Sequence, residues 1–600
     1  MLKDQGYRSI ESHGVLLNNR TAALVSTDGT IDFACFPNFD SLPTFVSLLD
    51  SNRGGFFSIT PLLESYESRQ EYEPDTNVLR TNFHSKGENV LTIIDFLPMT
   101  NHPAVYFSEI HRMIKSLDSL ELEVTFAPFL KEERKDFKEF KNVGYLIGTG
   151  GRSEFLATDF HLERVGSTFQ GKVRVKPGEE KWLVAAYNLD TAFSLRNFSS
   201  ERRLRETRFF WKDWLSRSKY QGIFYESVNR SLLLMKGLFF EPTGFMVASP
   251  TTSLPETIGG GRNWDYRYMW IRDTAFVIEA MTRVGYIEEA MKFYLSIIDR
   301  YEKDGRLFSV YSINDAAPIN EIETDLSGYL DSRPVRYGNA AYGQLQIDQF
   351  ASLIHGLRIL MGNGGFLNLH ALEKILSVGN LLSQIWREPD SSIWEIRGPK
   401  KNYVYSKVAA WRAFKDLSWL SSYLGMNDLS MRYEAEAKDV KDEVNSKGIS
   451  KEGYYSQSYG SEDVDASLLR LPLIGFSDIN DPTYSRTLDS IVEKLMREEF
   501  FFKRYTSEDG LGGDDNAFLM LSFWYIRNLI IRGDLEKAFK GLNKIIKLEN
   551  SLGLLPEEID FGTKRYLGNY PQALSHLSLI LAVVEYDTAI HKRDGYLGDL

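Results

Sequence analysis

One cysteine, Cys35, in 600 residues excludes an intramolecular disulfide and any metal site built from several thiolates, and it suits a reducing compartment. The nine histidines form no H-E-x-x-H or Cys-His cluster, which removes the common zinc patterns. No uninterrupted apolar run of about 18 residues occurs, and the N-terminal MLKDQGYRSIESHG lacks the apolar core of a signal peptide. Short internal repeats and low-complexity tracts are missing too. Basic charge is in deficit: 70 Lys and Arg against 82 Asp and Glu leave a formal net charge of -12. That balance argues against nucleic acid or an anionic membrane as the main partner, since both reward basic surfaces. The expectation is a cytoplasmic protein with a small, neutral partner and no membrane association. Oligomeric state stays open, a homo-oligomer included.

What is present is ordinary globular material, 43% hydrophobic and 25% charged, in a chain longer than one core usually serves. At least two domains follow. The first two hundred residues read as sheet. LELEVTF, from Leu120 to Phe126, alternates at period two, and Asp28-Gly29 between LVST and TIDFACF is a hairpin signal. After Arg202 the pattern turns helical. ERRLRETRFFWKDWLSRSK mixes charge with aromatics, as a helix across a domain boundary does. Apolar stripes follow at helical spacing, such as Phe350, Leu353, Ile354, Leu357 and Leu360, in about twelve segments broken by Gly, Asp and Pro. The expected architecture is an N-terminal antiparallel β-sandwich (1–200), a linker helix (201–225) and an (α/α)6 barrel of six helical hairpins (226–600).

Three motifs carry chemistry. SSIWEIRGPKKNYVYSK holds Glu395 directly after Trp394, and an apolar neighbour raises a carboxyl pKa, as a general acid requires. GLLPEEIDFGTKRYLGNYPQALSH holds Glu557 and Glu558 between Pro556 and Gly562, in a loop joining helices. Paired carboxylates facing one substrate are what hydrolysis of a glycosidic bond requires. GGGRNWDYRYMWIRD, from Gly259 to Asp273, offers aromatic and charged groups that grip a sugar. Each has a plainer alternative. Glu395 reads equally as a surface ion pair, Glu557 or Glu558 as a solvated loop acid, and Asp273 as a helix cap. Tyr266 and Trp270, four apart, read equally as a core stripe on one helical turn. The glycine run lacks the G-x-G-x-x-G spacing of a dinucleotide loop.

Taken in order, ESHGVLLNNRTAALVSTDGTIDFACFPNFDS, RNWDYRYMWIRD, SRPVRYGNAAYGQLQ, WEIRG with YSKVAAW, and PEEID with LGNYPQALSH resemble glycoside hydrolase family 15. This is the glucoamylase and microbial trehalase family, and the likeness is strongest to its bacterial and archaeal trehalase-like branch. The resemblance implies a super-β-sandwich, a linker and a catalytic (α/α)6 barrel, with inversion at the anomeric carbon and no metal or cofactor. It places Glu395 as general acid and Glu557 as general base. Arg272 and Asp273 match the pair that binds the hydroxyls of the sugar at the cleavage position, with Tyr266, Trp270 and Trp394 around it and Arg504 of KRYTSEDG at the neighbouring subsite.

Two departures bear on specificity. Ile396, followed by Arg397, stands where fungal glucoamylases have a second acid that helps bind the next sugar. Glu558 stands where they have Gln, and a like charge beside Glu557 raises the pKa of one of the pair. The resemblance therefore implies hydrolysis of α,α-trehalose, with glucoamylase action on maltooligosaccharides or starch as the alternative. A glycan-binding protein without catalysis would lose an acid, and a phosphorylase would replace the base with an anion site. Both Glu395 and Glu557 are present.

Overall fold

The computed structural model describes residues 6–102, 106–129, 135–140, 143–149, 152–189, 193–314, 318–509 and 515–593. Two eight-stranded antiparallel sheets fill the N-terminal part. The first runs in the order His13–Leu17, Ala22–Ser26, Ile31–Cys35, Phe56–Pro61, Leu120–Ala127, Thr168–Val175 and Glu163–Val165, with Pro43–Phe45 branching from Ile31–Cys35. The second runs Asp136–Phe140, Gly144–Thr149, Arg152–Thr158, Glu180–Tyr187, Glu109–Ser116, Glu88–Phe96, Leu79–Ser85 and Glu67–Tyr72. The Asp28-Gly29 turn joins two paired strands, Ser26 N–H donating to Thr30 O at 2.8 Å. Between the sheets lies the fully buried Arg112, which pairs with Asp95 at 2.8 Å and donates to Phe57 O at 3.0 Å, so the second sheet is tied to the backbone of the first. A charge this deep is tolerable because its donors are taken up.

Helix α1 (Ser200–Leu215) crosses from sandwich to barrel. Arg208 on it pairs with Glu73 of the sandwich at 2.6 Å, while Trp214 stacks on Tyr286 of the barrel, ring centroids 4.2 Å apart. Among the described residues the barrel then has six inner and six outer helical segments. Outer α2 (Tyr225–Leu238) precedes inner α3 (Thr274–Arg283), and the alternation continues with outer α4 (Ile287–Asp304), inner α5 (Ile347–Gly362) and outer α6 (Leu369–Ile385). Inner α7 (Val404–Tyr423), outer α8 (Asn427–Lys447), inner α9 (Ala466–Leu469 continued by Arg470–Leu473) and outer α10 (Pro482–Leu495) follow. Inner α11 (Leu519–Arg532), outer α12 (Leu535–Ile546) and inner α13 (Ala573–Arg593) complete the series, and α13 packs on α3 to close the ring.

Burial separates the two layers. Every residue of α11 from Leu519 to Ile530 is buried, whereas α12 buries one stripe, Leu535, Ala538, Gly541, Leu542 and Ile545. A helix apolar all round belongs inside, and one with a single stripe lies on the outside. The stripe Phe350, Leu353, Ile354, Leu357 and Leu360 is buried on α5. In α13 the stretch Ala573–Lys592 is long and apolar enough to cross a membrane, but 67% of its apolar window is buried within the barrel wall.

The two domains meet tightly at α2. A Cβ on Gly237 would lie 2.5 Å from Leu17 Cδ1 and 2.6 Å from its Cβ. Helix propensity alone favours alanine over glycine by about 1 kcal/mol, but overpacking costs about 1–3 kcal/mol, and strand and helix must part to admit the methyl. Gly237→Ala is therefore expected to lower the thermal unfolding midpoint; an unchanged or raised midpoint would show that the seam yields freely.

Candidate active site

The segments that lead into the inner helices α3, α5, α7, α11 and α13 make the cleft. Its lining includes Trp264, Tyr266, Trp270, Arg272, Asp273, Trp394, Glu395, Arg397, Arg504 and Glu557. It encloses about 950 Å³, some of it open solvent. Three tryptophans, Trp264, Trp270 and Trp394, line this space, while Trp211, Trp386 and Trp524 are core.

The segment before α3 is extended, not helical as one reading of Tyr266 and Trp270 had it. Met269–Trp270 pairs with Val310–Tyr311, so residues four apart share a face through the strand period of two. The alternation is functional. Trp264, Tyr266, Trp270 and Arg272 face the cleft. Asp265 and Arg267 face the other way: Arg267 pairs with Asp265 at 2.7 Å and donates to Ser41 O at 2.7 Å, to Phe39 O at 3.2 Å and to Cys35 Sγ at 3.3 Å. The motif is thereby pinned to the sandwich, and Cys35 is part of its anchor. Asp273 precedes α3 but makes no side-chain cap. It is 4% exposed, and burial, opposed by Arg272 and reinforced by Glu395 and Asp348, pushes its carboxyl up to about 7.

Glu395 sits in the loop before α7 with a φ of +59°, the left-handed region in which a glutamate is strained. Gln344 Nε2 donates to its carbonyl at 3.1 Å, and Ile396 N–H to Ser391 O at 2.8 Å, which holds the turn. Its carboxylate does not lie in the apolar setting expected from Trp394. Trp270 Nε1 donates to Oε1 at 2.6 Å and Arg272 Nη2 at 2.5 Å. Trp394 instead directs its N–H to Asp465 at 2.9 Å and lies among Tyr505, Phe518 and Trp524. The left-handed turn sends adjacent side chains apart.

Glu557 is held from several sides. Leu555 N–H donates to His576 Nε2 at 3.0 Å, so the ring proton is on Nδ1, facing Ser231 Oγ at 2.8 Å. Ser575 Oγ donates to Pro556 O at 2.7 Å. Tyr266 Oη donates to Glu557 Oε1 at 2.8 Å, and Asn569 N–H to Oε2 at 3.0 Å. The chain comes so close that a Cβ on Gly568, at φ +68°, would fall 2.4 Å from Oε2, so glycine is required there. Tyr266 and Trp270, ring centroids 5.4 Å apart, link the carboxylate of Glu557 to that of Glu395.

Glu558 is not on the cleft. It belongs to the strand Glu558–Ile559, paired with Ala517–Phe518 and Tyr566–Leu567, and its side chain is fully buried behind Arg504. Residues adjacent on a strand face opposite ways, which is why only Glu557 of the pair reaches the cleft. Glu256, Asp515 and Glu558 converge to within 4.8 Å of one another, and the cation among them is Arg504. Its Nη1 lies 3.0 Å from Glu256 and 2.6 Å from Asp515, its Nη2 2.6 Å from Glu558 and 3.8 Å from Glu557. Neither Glu558 oxygen has a directed hydrogen bond, so the contact with Arg504 is one of charge. Burial raises the carboxyls of Glu256, Glu557 and Glu558, only partly offset by Arg504, with Glu256 adding its charge to the other two. Glu256, Arg262, Trp264, Tyr505 and Asp509 are cleft residues that motif reading did not reach. For Trp264 the signal was there, in the period-two run that also carries Tyr266, Trp270 and Arg272.

Comparison with known proteins places this architecture. Residues 222–584 match the family described as Glycosyl hydrolases family 15, and residues 2–141 match Trehalase-like, N-terminal. A trehalase of Thermoplasma volcanium is 41% identical over 98% of this chain and 95% of its own length. A trehalase of Thermoplasma acidophilum is 39% identical over 95% of this chain and 99% of its own. A bacterial glucoamylase solved with acarbose has the same fold, with a TM-score of 0.74 at 13% identity over 98% of this chain and 97% of that one. The chain belongs to glycosyl hydrolases family 15 and is a glycoside hydrolase with an N-terminal antiparallel sandwich and an (α/α)6 barrel.

Arg504→Met would leave the buried carboxylates without their cation. Losing one partner of a buried charge cluster costs about 3–5 kcal/mol. The sign with pH follows from linkage: groups raised above the ordinary 4.5 stabilise fully below that value and lose the contribution as pH rises through their folded pKa. Removing Arg504 raises them further. The deficit against wild type, read as the unfolding midpoint, should be constant while both folded proteins keep these protons and widen as pH rises through about 8, the value to which Glu557 is raised in wild type. A deficit independent of pH would mean that Arg504 acts by packing alone.

Proposed function

We propose that this hydrolase cleaves α-glucosidic bonds with inversion and that α,α-trehalose is its preferred substrate. The observation that carries the reading is the pairing of Glu395 and Glu557 across one cleft, from two different loops, with Trp270 holding one and Tyr266 the other. The naming of the full-length relatives as trehalases supports the substrate. Ile396, half-buried on the cleft, stands where an acid would serve a chain-binding subsite.

As general acid, Glu395 gives its proton to the glycosidic oxygen from the carboxyl oxygen not engaged by Trp270 and Arg272. As general base, ionised Glu557 removes a proton from water on the opposite face of the ring. Tyr266, Asn569 N–H and Arg504 favour its ionised form, while burial and Glu256 raise its pKa and so its strength as a base. An inverting pair needs roughly 6.5–9.5 Å between carboxyls, room for the water. Arg272 and Asp273, at the deep end, select the first sugar by its outer hydroxyls, and Tyr266, Trp270 and Trp394 enclose the oxocarbenium-like state. Arg504 acts by holding Glu557, with the second sugar beyond it. A free, buried Cys35 suits a cytoplasmic setting.

The substrate is tested by kcat/KM for trehalose against maltotetraose on one preparation; a ratio favouring maltotetraose would make the enzyme a glucoamylase. Glu395→Gln and Glu557→Gln are each expected to lose about 10²–10⁴-fold in turnover with the fold retained by circular dichroism, and near-normal activity in either removes that residue from its role. Early product from trehalose, followed by proton NMR, should be one α- and one β-glucose per turnover. Only α-glucose at early times would contradict water activation by Glu557.

A further inference from the structure

At the rim of the cleft stands a second charged assembly that the hydrolytic roles do not use. Glu321, just ahead of the strand Ile322–Thr324, accepts two bonds from Arg397, at 2.7 Å from Nη1 and 2.5 Å from Nη2. The same carboxylate lies 3.4 Å from Arg336 Nε and accepts Ala340 N–H at 3.1 Å. Both guanidiniums rest on one indole, with Arg397 Cζ 4.0 Å and Arg336 Cζ 4.5 Å from the Trp264 ring centre. Arg336 is fixed from behind, donating to Gly261 O at 2.9 Å and Asn263 O at 3.1 Å. Trp264 and Arg397 line the cleft. Side-chain exposure rises from 13% at Arg272 and 19% at Glu395 to 30% at Arg397.

A guanidinium locked in a two-point pair is a flat donor surface whose geometry is set before a ligand arrives. Its remaining N–H groups, the Glu321 carboxylate and the edge of Trp264 then suit a sugar rim, polar hydroxyls on one side and C–H on the other. We propose that Trp264, Arg397 and Glu321 form the end wall of the second-sugar site and limit the pocket to two sugars. The inference rests on the hydrolytic reading above and deepens it. In α,α-trehalose the second glucose is joined through its anomeric carbon, so the edge farthest from the scissile bond carries hydroxyls that meet the wall. In a maltooligosaccharide the anomeric carbon of that glucose lies at the far edge and carries the rest of the chain, which needs open space where the wall stands.

The test compares trehalose, maltotetraose and α-glucosyl fluoride, which has the first sugar alone, on wild type, Arg397→Ala, Trp264→Ala and Trp264→Phe. Both alanine variants should lose about 10- to 100-fold in kcat/KM on trehalose, mostly through KM. Their loss on the fluoride should be roughly tenfold smaller, Trp264→Phe should recover most of the trehalose activity, and maltotetraose should gain on trehalose in both. Equal losses on trehalose and fluoride, or unchanged trehalose kinetics, overturn the wall. A wild type that prefers maltotetraose overturns the substrate and the wall together, whereas a wild type that prefers trehalose with unmoved variant ratios overturns the wall alone.

Discussion

Burial of Glu256, Asp515, Glu557 and Glu558 around the guanidinium of Arg504 is the interaction on which the cleft end of the barrel depends. A carboxylate deep in protein is costly unless paired, and here Arg504 lies within 4 Å of all four acids, with Arg262 adding its charge at Glu256. Burial keeps the carboxyls of Glu256, Glu557 and Glu558 above the ordinary range, and the guanidinium of Arg504 offsets this only in part. What would be a defect in a packing core is useful beside a substrate, because a base raised toward the working pH takes a proton more readily. Arg504 draws on the start of α9 through Ala466 N–H, which donates to its carbonyl at 2.8 Å, and on Phe518 before α11, whose ring lies 4.6 Å from its Cζ. One side chain thus joins the loops on which the cleft is built.

The sandwich contributes by holding the motif that faces the cleft. Arg267 and Asp265 leave the cleft side of their strand to the aromatics and bind the sandwich backbone at Phe39 and Ser41. Position of Trp270, and through its indole N–H the position of Glu395, therefore depends on residues more than two hundred positions earlier in the chain. Preorganisation to within a fraction of an ångström needs such rigid backing.

Much of this was legible in the sequence, for identifiable reasons. Period-two runs such as LELEVTF and the stripe from Phe350 to Leu360 report which faces are buried, so sandwich and helices could be read from them. The Glu395 and Glu557 motifs could be read because several long, ordered motifs coincide with one family. Other features depend on pairing at a distance. Glu256 meets Arg504 across 248 positions, and no local pattern announces that. Trp394 was expected against Glu395 because the two are adjacent, yet a left-handed φ at Glu395 separates them. Glu558 was expected in the site for the same reason, and the strand period turns it away.

The inner helices also set where the cleft lies. Residues at the starts of α3, α11 and α13 line it, and a helix N-terminus carries a partial positive charge of roughly half a unit from its free N–H groups. Asp273 stands at the N-terminal end of α3, where such a charge is felt. The deep half of the cleft is built on the segments that enter the inner helices, whereas the rim is made of long polar side chains on loops, Arg397 and Glu321 among them. Substitution at the rim changes which second sugar fits while leaving the electrostatics of bond cleavage in place.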